Sequence, residues 1–76
     1  MNIVNVEPID NYQLLIKAEN GVTGVFDVSP YLNSEVFEPL KHKENFFKVA
    51  NGGYFVAWDC GADLSADTIE SKWTIA

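Results

Sequence analysis

Arginine is absent from the 76-residue sequence, and five lysines stand against eleven carboxylates, for a net charge of −6. Nucleic-acid binders need charge that neutralises phosphates, and arginine is the side chain best shaped for phosphate and guanine. Direct DNA or RNA binding is therefore not expected. One basic knot exists, at Lys41, His42, Lys43 and Lys48, but Glu38 and Glu44 interrupt it. Cysteine is nearly absent too. A single thiol, Cys60, excludes an internal disulfide framework and points to a reducing compartment. No apolar run nears the roughly 18 residues of a membrane span, and the opening "MNIVNVEPID" has neither a basic n-region nor an apolar h-region. The expectation is a cytoplasmic protein without membrane association. P-loop, dinucleotide, HExxH and GxSxG signatures are all missing.

What is present suits one small globular domain over residues 1–76, with 47% hydrophobic and 13% aromatic residues. A chain this short hides only about 60% of its unfolded surface, so the core is small. "IVNVEP" (3–8) reads as a strand. "YQLLIKAE" (12–19) alternates, with Tyr12, Leu14, Ile16 and Ala18 on one face. Asn20-Gly21 follows, the strongest short hairpin signal, and "VTGVFDVS" (22–29) is the returning strand. A two-residue loop would pair Glu19 with Val22, Leu15 with Phe26 and Ile16 with Val25. Both faces of such a hairpin carry apolar residues. One face covers the core, and the other, Leu15, Phe26 and Val28, needs a helix or a second subunit, which makes it a candidate interaction face.

From Pro30 the period changes. "SPYL" reads as one helical turn capped by Ser29, and Pro39 opens helical structure at about 39–50, as one helix or two, closed by Asn51-Gly52-Gly53. "YFVAW" (54–58) is a strand with Tyr54, Val56 and Trp58 on one face. A final helix spans about 65–73. The expected fold class is α+β, with a small antiparallel sheet packed against short helices.

The stretch "WDCGADLSADTIE" (58–70) concentrates the residues that chemistry uses. As a nucleophile, Cys60 lacks an electropositive setting: Asp59 and Asp63 disfavour a thiolate, and the only histidine, His42, is eighteen residues away in a charged run. Asp59, Cys60, Asp63 and Asp67 do not make a zinc site, which wants several cysteines or histidines. A calcium loop places a glycine at its sixth position, and here that position is Leu64. Weak divalent-metal or small-molecule binding by the Asp59–Asp67 loop stays as the alternative reading. Structure accounts for the same residues. Ser65 caps a helix starting at Ala66, Asp67 sits in its first turn, and Asp63 is expected to bond the same free amides. Gly61 supplies a positive φ, while Leu64 and Ile69 enter the core beneath Trp58. No catalytic, cofactor or metal residues are assigned, and an enzyme would need a site shared between subunits.

The succession "FDVSPYL", "VFEPLKHKENFFKV" and "YFVAWDCGADLSADTIE" resembles the bacterial family called domain of unknown function 2442. That family closes on W-x-x-G-x-D-L-x-x-D-x-L, matched here by Trp58, Gly61, Asp63, Leu64 and Asp67, with Ile69 in place of leucine; Asp27 matches the Asp that ends its hairpin. The resemblance implies a small α+β domain that stands alone or precedes a helix-turn-helix. Stand-alone members resemble components of toxin–antitoxin pairs. Since the chain ends soon after the last helix, the stand-alone form is expected. The resemblance brings no catalytic residues. The functional expectation is a non-enzymatic interaction module for another small, preferentially basic, protein, with self-association as a further form of the same behaviour.

Overall fold

The computed structural model covers residues 1–76, with two small antiparallel sheets and a few short helical segments. β1 (Ile3–Ile9), β2 (Gln13–Ala18) and β3 (Thr23–Asp27) form a meander. Alternation along β2 determines which face is buried: Leu14, Ile16 and Ala18 are enclosed, while Lys17 faces water. Each such Leu or Ile is worth about 1.5–3 kcal/mol of transfer free energy. Val4 is an extra residue in β1, since Ile3 pairs with Ala18 and Asn5 with Lys17; it bulges out and is half exposed.

The β2–β3 register corrects the two-residue loop. Leu14 lies opposite Phe26, Leu15 opposite Val25, and Ile16 opposite Gly24. The Ala18 amide donates to the Val22 carbonyl at 2.8 Å, and Gly21 donates to the Ala18 carbonyl at 2.9 Å. Three residues, Glu19, Asn20 and Gly21, therefore make the reversal, and of these only Gly21 (φ 89°) has a positive φ. This is a turn followed by a glycine bulge rather than a type I′ turn. The slip of one residue moves Phe26 and Val28 to the inner face, where they are 1% and 0% exposed. The expected face of Leu15, Phe26 and Val28 does not exist. Leu15 is half-buried on the outer side, and its two supposed companions belong to the core.

From Ser29 to Lys48 the chain forms a strap across the inner face of the meander. The turn expected at Ser29-Pro30-Tyr31-Leu32 is present as a 3-10 turn over Ser29–Tyr31, with Val28 rather than Ser29 at its cap position. The helical structure expected at about 39–50 begins earlier and is shorter: a 3-10 segment over Glu35–Lys41, then one α turn, α1 (Lys43–Phe46). Pro39 lies inside the second 3-10 segment, where it removes an amide donor, and residues 47–49 are not helical. What holds the strap is a continuous arc of rings: Phe26–Tyr31, Tyr31–Phe37, Phe37–Trp58, Trp58–Phe46 and Phe46–Tyr12, with centroids between 5.4 and 6.1 Å apart. Rings from the meander, the strap and the later chain thus share one core.

β4 (Ala50–Asn51), β5 (Phe55–Ala57) and β6 (Asp63–Ser65) make the second sheet, so the expected strand at 54–58 is shorter at both ends. Val56 and Trp58 point inward as expected, but Tyr54 is 71% exposed and does not share their environment. The sheets meet where the Ile3 amide donates to the Gly53 carbonyl at 2.6 Å and Asn51 Nδ2 to the Ile3 carbonyl at 2.9 Å. α2 (Ala66–Lys72) follows, near the expected 65–73, and β7 (Thr74–Ile75) returns to pair with Gly24 and Val25 of β3. Trp73 packs over Gly24, where a Cβ would stand 2.6 Å from the indole, so only glycine admits this closure.

Candidate functional site

The strand-to-helix passage from Trp58 to Glu70 is organised by backbone bonds. Trp58 accepts at its carbonyl from the Gly61 amide (3.0 Å), and its own amide donates to the Ala62 carbonyl (2.9 Å). Gly61 takes φ 97°, and nothing stands within 4 Å of a Cβ built there, so the requirement is conformational rather than one of space. Trp58 is 5% exposed and satisfies its indole by donating from Nε1 to the Phe46 carbonyl at 2.9 Å. That bond ties the passage to the strap. Leu64 and Ile69 enter the same core cluster as Trp58.

Ser65 caps α2: its Oγ accepts from the Thr68 amide at 3.1 Å and donates to Thr68 Oγ1 at 3.0 Å. Asp67 lies exposed in the first turn. Asp63 corrects an expectation. Its position in β6 opposite Ala57 places its carboxylate on the outer sheet face, and it makes no bond to the helix amides. Asp27 is structural: its Oδ1 accepts from the Ser29 amide (3.0 Å) and the Ser29 hydroxyl (2.6 Å), which closes the turn leading into the strap.

Cys60 is exposed at the tip of the turn, with Sγ 3.6 Å from the Val36 carbonyl. It lines a hollow with Leu40, Asn45, Lys48, Trp58 and Asp59. His42 lines a different hollow, with Glu35, Glu38, Pro39 and Lys41. The thiol and the imidazole are thus not brought into one site. No three or more His, Cys, Asp or Glu side chains are grouped so as to hold an ion, so Asp59, Cys60, Asp63 and Asp67 do not converge. No helix is long and apolar enough to cross a membrane.

The features that sequence reading missed lie on the surface. Tyr54 (71%), Phe47 (51%), Val4 (50%), Val36 (45%) and Phe55 (44%) are exposed apolar or aromatic side chains. Tyr54 had a signal in Gly52-Gly53 directly before it, which can start the strand one residue later. Val4 had none, because a bulge depends on the partner strand.

A family model described as "Protein of unknown function (DUF2442)" matches residues 3–74. No curated protein and no solved structure matches the chain. The matched span takes in the meander, the aromatic strap and the Trp58–Asp67 passage, and the chain therefore belongs to the DUF2442 family.

Proposed function

We propose that the chain is a non-enzymatic interaction module that binds a small basic protein in the cytoplasm, in the manner of the antitoxin-like half of a pair. One observation carries this reading: exposed aromatic and aliphatic side chains, Tyr54 foremost, stand on a surface of net charge −6. A domain with so little core gains nothing in stability from leaving such rings in water, whereas an interface uses them as anchors. The acidic surface favours basic partners and speeds encounter with them. The separation of Cys60 from His42 supports binding rather than nucleophilic catalysis. Light scattering on the chain purified from native extract tests the reading. The expected result is a stoichiometric complex with a second, basic polypeptide that dissociates at high salt. A chain that stays monomeric and alone at micromolar concentration overturns it.

A further inference from the structure

We propose that Asn51-Gly52 is a site of spontaneous, backbone-assisted deamidation, and that the reaction is a one-way latch on the contact between the two sheets. Asn51 uses both ends of its amide. Nδ2 donates to the Ile3 carbonyl of β1 at 2.9 Å, across 48 residues of chain, and Oδ1 accepts from the Gly53 amide at 2.8 Å. The Gly52 amide donates to the Phe55 carbonyl at 2.8 Å, and the Ile3 amide to the Gly53 carbonyl at 2.6 Å. An exposed asparagine–glycine step is thus clasped to the edge of the meander.

Asparagine is thermolabile, and a following glycine, lacking a Cβ, leaves its own nitrogen unhindered. On losing its proton to hydroxide, the Gly52 nitrogen attacks Asn51 Cγ. An N–C bond forms, the Cγ–Nδ2 bond breaks, and Nδ2 leaves as ammonia. Water then opens the imide at either carbonyl, which leaves an aspartate or its β-linked isomer. In the closed clasp the step is held off, because the attacking nitrogen and both side-chain atoms have other partners; it proceeds when the contact between β1 and β4 parts locally. Afterwards the clasp cannot reform. A carboxylate only accepts hydrogen bonds, and it would face the Ile3 carbonyl, a second acceptor. The β-linked isomer also adds a methylene to the backbone of β4.

The chain carries its own control at Asn20-Gly21. There Oδ1 accepts from the Val22 amide at 3.1 Å and the Gly21 amide donates to the Ala18 carbonyl at 2.9 Å. Both bonds lie within one exposed turn, and a carboxylate accepts from Val22 as an amide oxygen does. Conversion at Asn20 therefore leaves the fold unchanged, whereas conversion at Asn51 parts the sheets.

The test is incubation in mildly alkaline buffer, with and without urea, followed by peptide mass spectrometry. In the folded chain Asn51 should convert roughly tenfold more slowly than Asn20, the protection that one or two net hydrogen bonds give. In urea the two should convert at similar rates. Asn51→Asp should lower the melting temperature by roughly 4–8 °C and speed amide exchange at Ile3 and Gly53. Asn20→Asp should stay within about 3 °C of the parent. Folded-state conversion at Asn51 as fast as at Asn20 overturns the latch, as does an Asn51→Asp chain that melts like the parent. So does an unfolded chain in which Asn51 stays intact while Asn20 converts. The folded and unfolded parent are compared without any variant, so that arm decides even where Asn51→Asp does not fold.

Discussion

Between β2 and β3 the chain reverses over Glu19, Asn20 and Gly21, whereas between β1 and β2 it reverses over Asp10, Asn11 and Tyr12. The first reversal meets its need for a positive φ with glycine, at no steric cost and with open space around it. The second has no glycine. Asn11 (φ 65°) and Tyr12 (φ 58°) both occupy the left-handed region, and for a residue as bulky as tyrosine that is an outlier. Distant contacts compensate. The Tyr12 hydroxyl donates to the Lys41 carbonyl, and its ring meets Phe46 edge-on at 5.4 Å. One turn is thus specified by its own residues, the other by what it touches. The glycine turn needs no distant contact for its conformation; the tethered turn is held in a strained one by the strap.

The largest expected effect comes from cutting the tether. Tyr12→Ala keeps a Cβ, and hence the backbone strain, so its cost reads the lost ring and hydroxyl alone. Truncating a large, partly buried aromatic should destabilise by about 2–4 kcal/mol in urea titration. Tyr12→Phe, which removes only the hydroxyl, should recover most of that loss, leaving about 0.5–1.5 kcal/mol. If Tyr12→Ala melts like the parent, the strap does not depend on this turn, and the contrast between the two reversals collapses.

Gly21→Ala comes next. Nothing stands within 4 Å of the added Cβ, so the penalty is conformational only, about 1–2 kcal/mol. The diagnostic is additivity. Gly21→Ala and Tyr12→Ala should sum within about 0.5 kcal/mol, because one turn acts locally and the other through the strap. A strong non-additive term would show that the glycine turn also leans on tertiary contacts.

That division also separates what the sequence made legible from what it did not. Ser65 was readable because capping involves only the next few residues, and its bond to Thr68 is there. Gly61 and the family motif around Trp58 were readable for the same reason. The hairpin at Asn20-Gly21 was readable, but its register was not. Asn-Gly fits a two-residue loop and a three-residue loop equally, and β2 and β3 carry apolar residues at both parities (Leu14 and Leu15, Val25 and Phe26), so hydrophobic pattern could not choose. That single slip dissolved the candidate face of Leu15, Phe26 and Val28. The strap resisted reading because 3-10 turns carry no 3.6-residue period, and its order comes from rings far apart in the chain. Asp63 failed as a cap for a simpler reason: β6 still includes it, and a strand residue directs its side chain to the sheet face rather than to the helix ahead.

The smallest expected effect is at Asn11, and it tests whether strain in the tethered turn is shared or concentrated. Asparagine tolerates the left-handed region better than most residues, so it holds little strain to release. Asn11→Gly gains that small amount and loses a comparable amount through the greater freedom of an unfolded glycine. The two terms oppose each other, and the net change should lie within about 0.5 kcal/mol of zero. A stabilisation above about 1 kcal/mol would mean that Asn11 carries much of the strain. The contacts of Tyr12 would then compensate for its neighbour's backbone as well as its own. A result near zero leaves tyrosine as the residue whose conformation the strap imposes.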